Sequence, residues 1–212
     1  MHWSEYTRFA ISLFVLLAPL LQVPLMLSLI GGADRIIVRR TATIASITAL
    51  AILLVAHYAG ELILVTLGTS LASFQIGGGL IVLLIGLSLA QGKPLESAPI
   101  GRSDETSPLS SLPLRVGVTP LGTPAIAGAG TITAVILETH EEHGLVDDFA
   151  ITLIILGNAL AVWIILSCAP AIGRFLSGSG LLVVQRIVGL VNVAMAVEII
   201  VSGFNGHFSK LA

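Results

Sequence analysis

The chain has 212 residues, 55% of them hydrophobic and 10% charged, with a formal net charge of −2 and a mean hydropathy of +1.01. An ordinary soluble domain is about 25% charged, so that class is excluded, and the absence of a basic face argues against nucleic acid as a partner. The single cysteine, Cys168, allows neither an intrachain disulfide nor a thiolate metal cluster.

A membrane-spanning helix needs about 20 largely apolar residues, and six stretches qualify in chain order. The first, 9–30, is longer than the roughly 7–15 residues of a signal core and has no small-x-small cleavage site. It contains Pro19-Leu20-Leu21-Gln22-Val23-Pro24. Proline removes a backbone donor and clashes with the preceding turn, so this span is expected to be broken or kinked. In hydrocarbon the freed groups are tolerated only when buried in protein or lining a cavity. Gln22 and Ser28 lie near the break, whose carbonyls suit an ammonium group or a coupling cation. A plain kink re-satisfied by its neighbours is the competing reading. The second span, 42–65, ends with His57 and Glu61 at helical spacing, expected as a solvated outer pair. The third is 71–90. Residues 91–115 carry Pro94, Pro99, Pro108 and Pro113 among serines and mixed charges, the composition of a flexible linker.

The fourth span, 116–137, repeats the proline pair as Pro120-Leu121-Gly122-Thr123-Pro124 and continues into Gly128-Ala129-Gly130-Thr131. Glycine allows close ligand approach, and Thr131 is expected to cap a half-helix whose free N–H groups and dipole suit a carboxylate. Close helix packing through small residues is the alternative. After it, 138–148 holds five acids and no lysine or arginine. Its His140-Glu141-Glu142-His143 lacks the i,i+4 histidines of a zinc protease helix and reads as a solvated loop. The fifth span, 149–172, buries Asn158 and the sixth, 181–203, buries Asn192; each is either a substrate contact or an interhelical hydrogen bond. Glu198 lies in the outer third of the sixth span. An acid there implies a cavity or an ion or proton pathway, unless the span ends early.

Eight of the ten basic residues (Arg35, Arg39, Arg40, Lys93, Arg102, Arg115, Arg174 and Arg186) lie in or flank the loops after spans one, three and five. By the positive-inside rule those loops are cytoplasmic and both termini are outside. The linker divides a single transmembrane domain into 9–90 and 116–203, each starting with a proline-paired span. Three spans per half require the second half to enter the membrane inverted. The expected fold is therefore an all-α membrane protein of six transmembrane helices, arranged as two inverted three-helix repeats with helices 1 and 4 broken.

These motifs resemble the MarC family of six-span inner-membrane proteins, which includes SnatA-type neutral amino-acid transporters. The family's Asn-Pro-Leu-Gly-x-x-Pro corresponds to Ala18-Pro19-Leu20-Leu21-Gln22-Val23-Pro24. Its Pro-Leu-x-x-Pro-x-x-x-Gly-Pro-Gly corresponds to Pro120-Leu121-Gly122-Thr123-Pro124 through Gly128-Ala129-Gly130. Phe74-Gln75-Ile76-Gly77-Gly78-Gly79 and Arg186-Ile187-Val188-Gly189 match its third and sixth spans. Ala18, Leu21 and Ala129 depart from the pattern. The resemblance implies a secondary transporter of small neutral amino acids. The residues expected at its substrate are Pro19, Gln22, Pro24, Pro120, Thr123, Pro124, Gly128, Gly130, Thr131, Asn158 and Asn192, and Glu198 is expected at a sodium ion or proton. Export of another small metabolite or drug, or a non-transporting scaffold, are the alternatives. An oligomer is allowed, no cofactor or metal is expected, and no serine–histidine pair or P-loop suggests an enzyme.

Overall fold

A computed structural model describes residues 3–30, 34–92, 112–140, 144–175 and 178–208, and all secondary structure among them is helical. Most of the expected linker, 93–111, and Glu141, Glu142 and His143 lie outside the described residues.

The first span is two helices, α1 (Trp3–Leu17) and α2 (Pro19–Ile30), joined at Ala18. Next come α3 (Arg35–Thr66), longer than expected at both ends, and α4 (Leu71–Ala90). The Ser70 hydroxyl caps α4 by accepting from Ser73 N–H at 3.1 Å. The fourth span is the short α5 (Leu112–Val116), a widely wound stretch over Gly117–Ile126, and α6 (Ala129–His140). It is followed by α7 (Leu145–Ser167), α8 (Ala169–Phe175) and α9 (Gly178–Phe208). The fifth span is thus interrupted too, at Cys168. Pro170 falls in the first turn of α8, where a missing N–H is harmless.

Among the described residues, five stretches are long and apolar enough to cross a membrane: Trp3–Leu27, Arg35–Thr66, Leu71–Ala90, Leu145–Ser167 and Arg186–Gly206. The fourth span contributes only the shorter apolar helix Gly130–Thr139, because its first half is not regular helix. Large apolar side chains such as Leu80, Leu84, Leu153, Leu160 and Leu190 are exposed, as a lipid-facing surface requires.

Lipid tails are as apolar as leucine, so helices associate in them by close packing rather than by hydrophobic drive. Glycine supplies that closeness here. α4 and α9 run antiparallel: a Cβ on Gly79 would lie 3.2 Å from Ala196 O, on Gly86 3.0 Å from Gly189 O, and on Gly203 2.9 Å from Ala72 O. The wide stretch leans on α3 in the same way, Gly117 against Ile44 and the Thr41 carbonyl, and Gly122 against Thr48. Further ties are polar. Tyr6 of α1 donates to Asp147 of α7, Tyr58 of α3 pairs with Thr152 of α7 at 2.7 Å, and the Trp163 indole donates to Thr43 at 2.9 Å.

Charge separates along the molecule. Arg35, Arg39, Arg40 and Arg115 lie at one end, and Arg186 joins them, within 3.6 Å of a Cβ built on Gly92 just past α4. Glu5, Glu138, Asp147 and Asp148 lie at helix ends on the other side.

Candidate functional site

The first break has a precise cause. Proline disfavours right-handed helix in the residue before it, and Ala18 takes a left-handed φ of 42°. Its N–H still donates to Phe14 O at 3.2 Å and Val15 O at 3.1 Å, which closes α1, and Leu21 N–H donates back to Ala18 O at 3.0 Å, which opens α2. Pro19 is therefore the first residue of a new helix, a place proline favours, and Pro24 lies within α2. The family motif has asparagine where this chain has Ala18. Asparagine is one of the few residues that visit this conformation readily, whereas an ordinary L-residue pays roughly 1–2 kcal/mol. Replacing Ala18 by glycine or asparagine is expected to stabilise the protein by about 1 kcal/mol, and Ala18→Val to destabilise it. Thermal unfolding in detergent checks this; an identical midpoint for glycine and valine would contradict the left-handed turn.

The second break follows the same rule twice. Thr119 (φ −138°, ψ 124°) and Thr123 (φ −142°, ψ 127°) are extended, each immediately before a proline. The chain between and after them winds widely, with Ala127 N–H reaching back to Gly122 O at 3.0 Å. The backbone ladder of α6 begins with Ile132 N–H on Gly128 O at 3.1 Å, so the amides ahead of it belong to an unladdered first turn.

Thr131 does not cap that turn. Its hydroxyl donates to Gly128 O at 2.8 Å and to Ile126 O at 3.3 Å, and so fixes the carbonyls leading into α6. Gly130 faces α4, where a Cβ would come 2.2 Å from Val82 Cγ2; one on Gly78 of α4 would in turn meet the Thr133 hydroxyl. The expected glycine hinge is therefore also a helix contact, and substitution at Gly130 would disturb packing and any ligand together.

The bundle also buries polar side chains. Gln22, Gln75, Thr131, Thr133 and Asn192 are all buried, and so is Ser46. The Asn192 Oδ1 and Ser46 Oγ have no hydrogen-bond partner among the described residues. Gln75 and Thr133 are not among the residues expected at the substrate, although Gln75 stands in the third-span motif; an amide and a hydroxyl in apolar spans are the signal that marks them. Thr123 is half-buried, while the side chains of Pro24, Ser28, Pro120, Pro124 and His140 lie outside the described set. Asn158 is drawn elsewhere: its amide donates to Ile154 O at 3.0 Å and across to Ala10 O of α1 at 3.4 Å. It lines a groove on the α1–α7 surface. His57 is buried rather than solvated as expected, while Glu61 is exposed.

A cavity of about 330 Å³ lies between α1, α6 and α9. Its walls are Glu5, Arg8, Ser12 and Leu16 from α1, Ala134 and Glu138 from α6, and Met195, Glu198 and Ser202 from α9, with apolar neighbours. About 16 Å of helix separates Glu5 from Leu16 at 1.5 Å per residue, so the cavity reaches from the acidic end into the bundle. Its floor falls within one helical turn of the candidate residues on three helices: Leu16 beside Ala18 and Pro19, Ala134 after Gly130 and Thr131, and Met195 after Asn192. Glu198, which the sequence places near a cavity or an interface, lines its acidic mouth with Glu5 and Glu138. Three carboxylates face one guanidinium, so the mouth attracts ammonium groups and repels free anions.

Long apolar helices with exposed apolar faces and three interrupted spans define a polytopic integral membrane protein. A family model described as MarC family integral membrane protein matches residues 3–208, and the chain belongs to that family. Among its relatives, membrane protein YhcE of Escherichia coli is 31% identical over 206 residues, 97% of this chain and 94% of its own. The inner membrane protein MarC of Salmonella arizonae is 34% identical over 193 residues, 87% of each chain. No solved structure matches.

Proposed function

We propose that the protein is a secondary transporter of small neutral amino acids of glycine or alanine size in the bacterial inner membrane. The observation that carries this reading is the position of the cavity floor, within a turn of both broken spans. Acidic residues at the mouth draw the substrate ammonium. The unladdered amides at the start of α6 are suited to its carboxylate, and the carbonyls around Ala18 to the amine or a coupling sodium ion or proton. The cavity volume is near the lower end of ligand pockets, about 300–1,000 Å³, which favours a small zwitterion over a drug. A scaffold would draw on the same glycine contacts but has no use for the charged cavity.

We read the bundle as two inverted three-helix repeats, the first ending in α4 and the second in α9; the antiparallel packing of α4 on α9 supports this reading. Alternating access would move one repeat against the other. The glycine-tight α4–α9 seam joins the repeats, so the motion pivots there and the broken spans do the moving. In this orientation the arginine-rich end is cytoplasmic and both termini are outside. Cys168, beside Arg35 and Arg39, should then react with an impermeant maleimide in inverted vesicles and not in intact cells; the opposite pattern reverses the orientation.

Proteoliposomes of the purified protein should accumulate labelled glycine or alanine under an imposed sodium or proton gradient. No accumulation of either under both gradients, with correctly folded protein, rejects the transporter.

A further inference from the structure

A second concavity, of about 620 Å³, lies at the arginine-rich end between the start of α3 and the α7–α8 junction, remote from the acidic cavity. We propose that it binds one anionic phospholipid, with the phosphate on Arg35 and Arg39 and an acyl chain along Ile36, Trp163 and Ile164.

Both arginines are exposed and line the groove, and none of its lining residues is acidic. Asp34 precedes Arg35 in the chain without lining it. The Arg39 guanidinium carbon lies 5.9 Å from the centre of the Trp163 ring, close enough for cation–π attraction. The indole is itself fixed by its hydrogen bond to Thr43. Arg39 is thus held at the groove rather than extended into water. At the end of α7, Ser167 lines the groove, and its Oγ is buried with no hydrogen-bond partner among the described residues, leaving a hydroxyl to meet a phosphate or glycerol oxygen.

The walls decide between a lipid and a soluble anion. Ile36 and Ile164 are 68% and 48% exposed, on helix faces that meet the bilayer. A tryptophan beside basic residues at a helix end marks the interfacial layer, and basic clefts between spanning helices take lipid headgroups. Free phosphate would leave the apolar wall uncovered. A zwitterionic lipid would set its choline cation against the two arginines.

The test titrates short-chain phosphatidylglycerol, phosphatidylcholine and inorganic phosphate into the detergent-purified full chain, with lipid binding read by native mass spectrometry. Phosphatidylglycerol should bind in preference, and Arg35→Gln/Arg39→Gln should weaken it by about thirtyfold, each arginine contributing about fivefold. Arg186→Gln, at the same end but outside the groove, should leave the preference intact. Cys168 lines the groove and is exposed, so it reports occupancy in the unmodified chain even if the double variant fails to fold. Its alkylation should slow with phosphatidylglycerol and not with phosphatidylcholine or phosphate. Equal protection by both lipids, protection by phosphate alone, or a preference that survives in a folded double variant would each overturn the proposal.

Discussion

Gly189→Ala should cost about 3 kcal/mol of stability, the upper end of the usual range for overpacking. A Cβ on Gly189 would lie 2.4 Å from the Ala90 backbone nitrogen and 2.8 Å from the Gly86 carbonyl. Neither neighbour is a side chain that can rotate away, so α4 and α9 must separate along the seam. Separation forfeits the other close contacts, since Gly86 against Val193 and Gly79 against Ala196 depend on the same spacing. In lipid no hydrophobic gain compensates, because packing is itself the force that holds the helices. Gly157→Ala is the matched control: nothing lies within 4 Å of its added Cβ, and alanine is the better helix former by up to about 1 kcal/mol. Denaturant unfolding in mixed micelles reads the difference. If Gly189→Ala is as stable as Gly157→Ala, the seam is not packed as described.

How much could be read from the sequence depends on whether the cause is local. Proline acts on its immediate neighbour, so breaks in the first and fourth spans were expected from Pro19, Pro24, Pro120 and Pro124 alone. The exact positions followed from details that span-level reading passes over. Pro19 starts a helix, so the left-handed residue is Ala18, and Pro24 is absorbed into α2. In the fourth span the extended residues are Thr119 and Thr123, because each precedes a proline. Pro170 acts differently: its predecessor Ala169 is helical, and the proline stands in the first turn of α8, just after α7 ends at Cys168. Glycine composition announced close packing, but only the fold pairs Gly130 with Val82 and Gly86 with Gly189. The cavity was legible only in Glu198, since Glu5, Arg8, Ser12 and Ala134 come from helices more than a hundred residues apart in sequence. His57 is buried although it stands near the end of an apolar span, because α6 packs against that end of α3, with Ile136 on Gly60 one turn away.

Ala134→Trp should lower the initial rate of amino-acid uptake by about tenfold or more, equivalent to at least about 1.4 kcal/mol, while leaving the protein folded. Ala134 is half-buried on the cavity wall, one turn beyond Gly130 and Thr131. An indole there fills free volume instead of colliding with backbone, which sets it apart from any substitution at Gly130. It stands between the acidic mouth and the first turn of α6, so a substrate entering past Glu138 and Glu198 meets it before reaching the breaks. Ala161→Trp tests bulk without blockage, because Ala161 lines the outer groove between α1 and α7, where lipid can yield. Uptake into proteoliposomes, with the unfolding midpoint measured for each variant, separates obstruction from damage. Full uptake by a stable Ala134→Trp protein would mean that the cavity is not the substrate's route. An equal loss in Ala161→Trp would assign the effect to the bundle as a whole. Blockage by the first variant alone would leave the cavity between α1, α6 and α9 as the way in, with the two proline-broken spans at its floor.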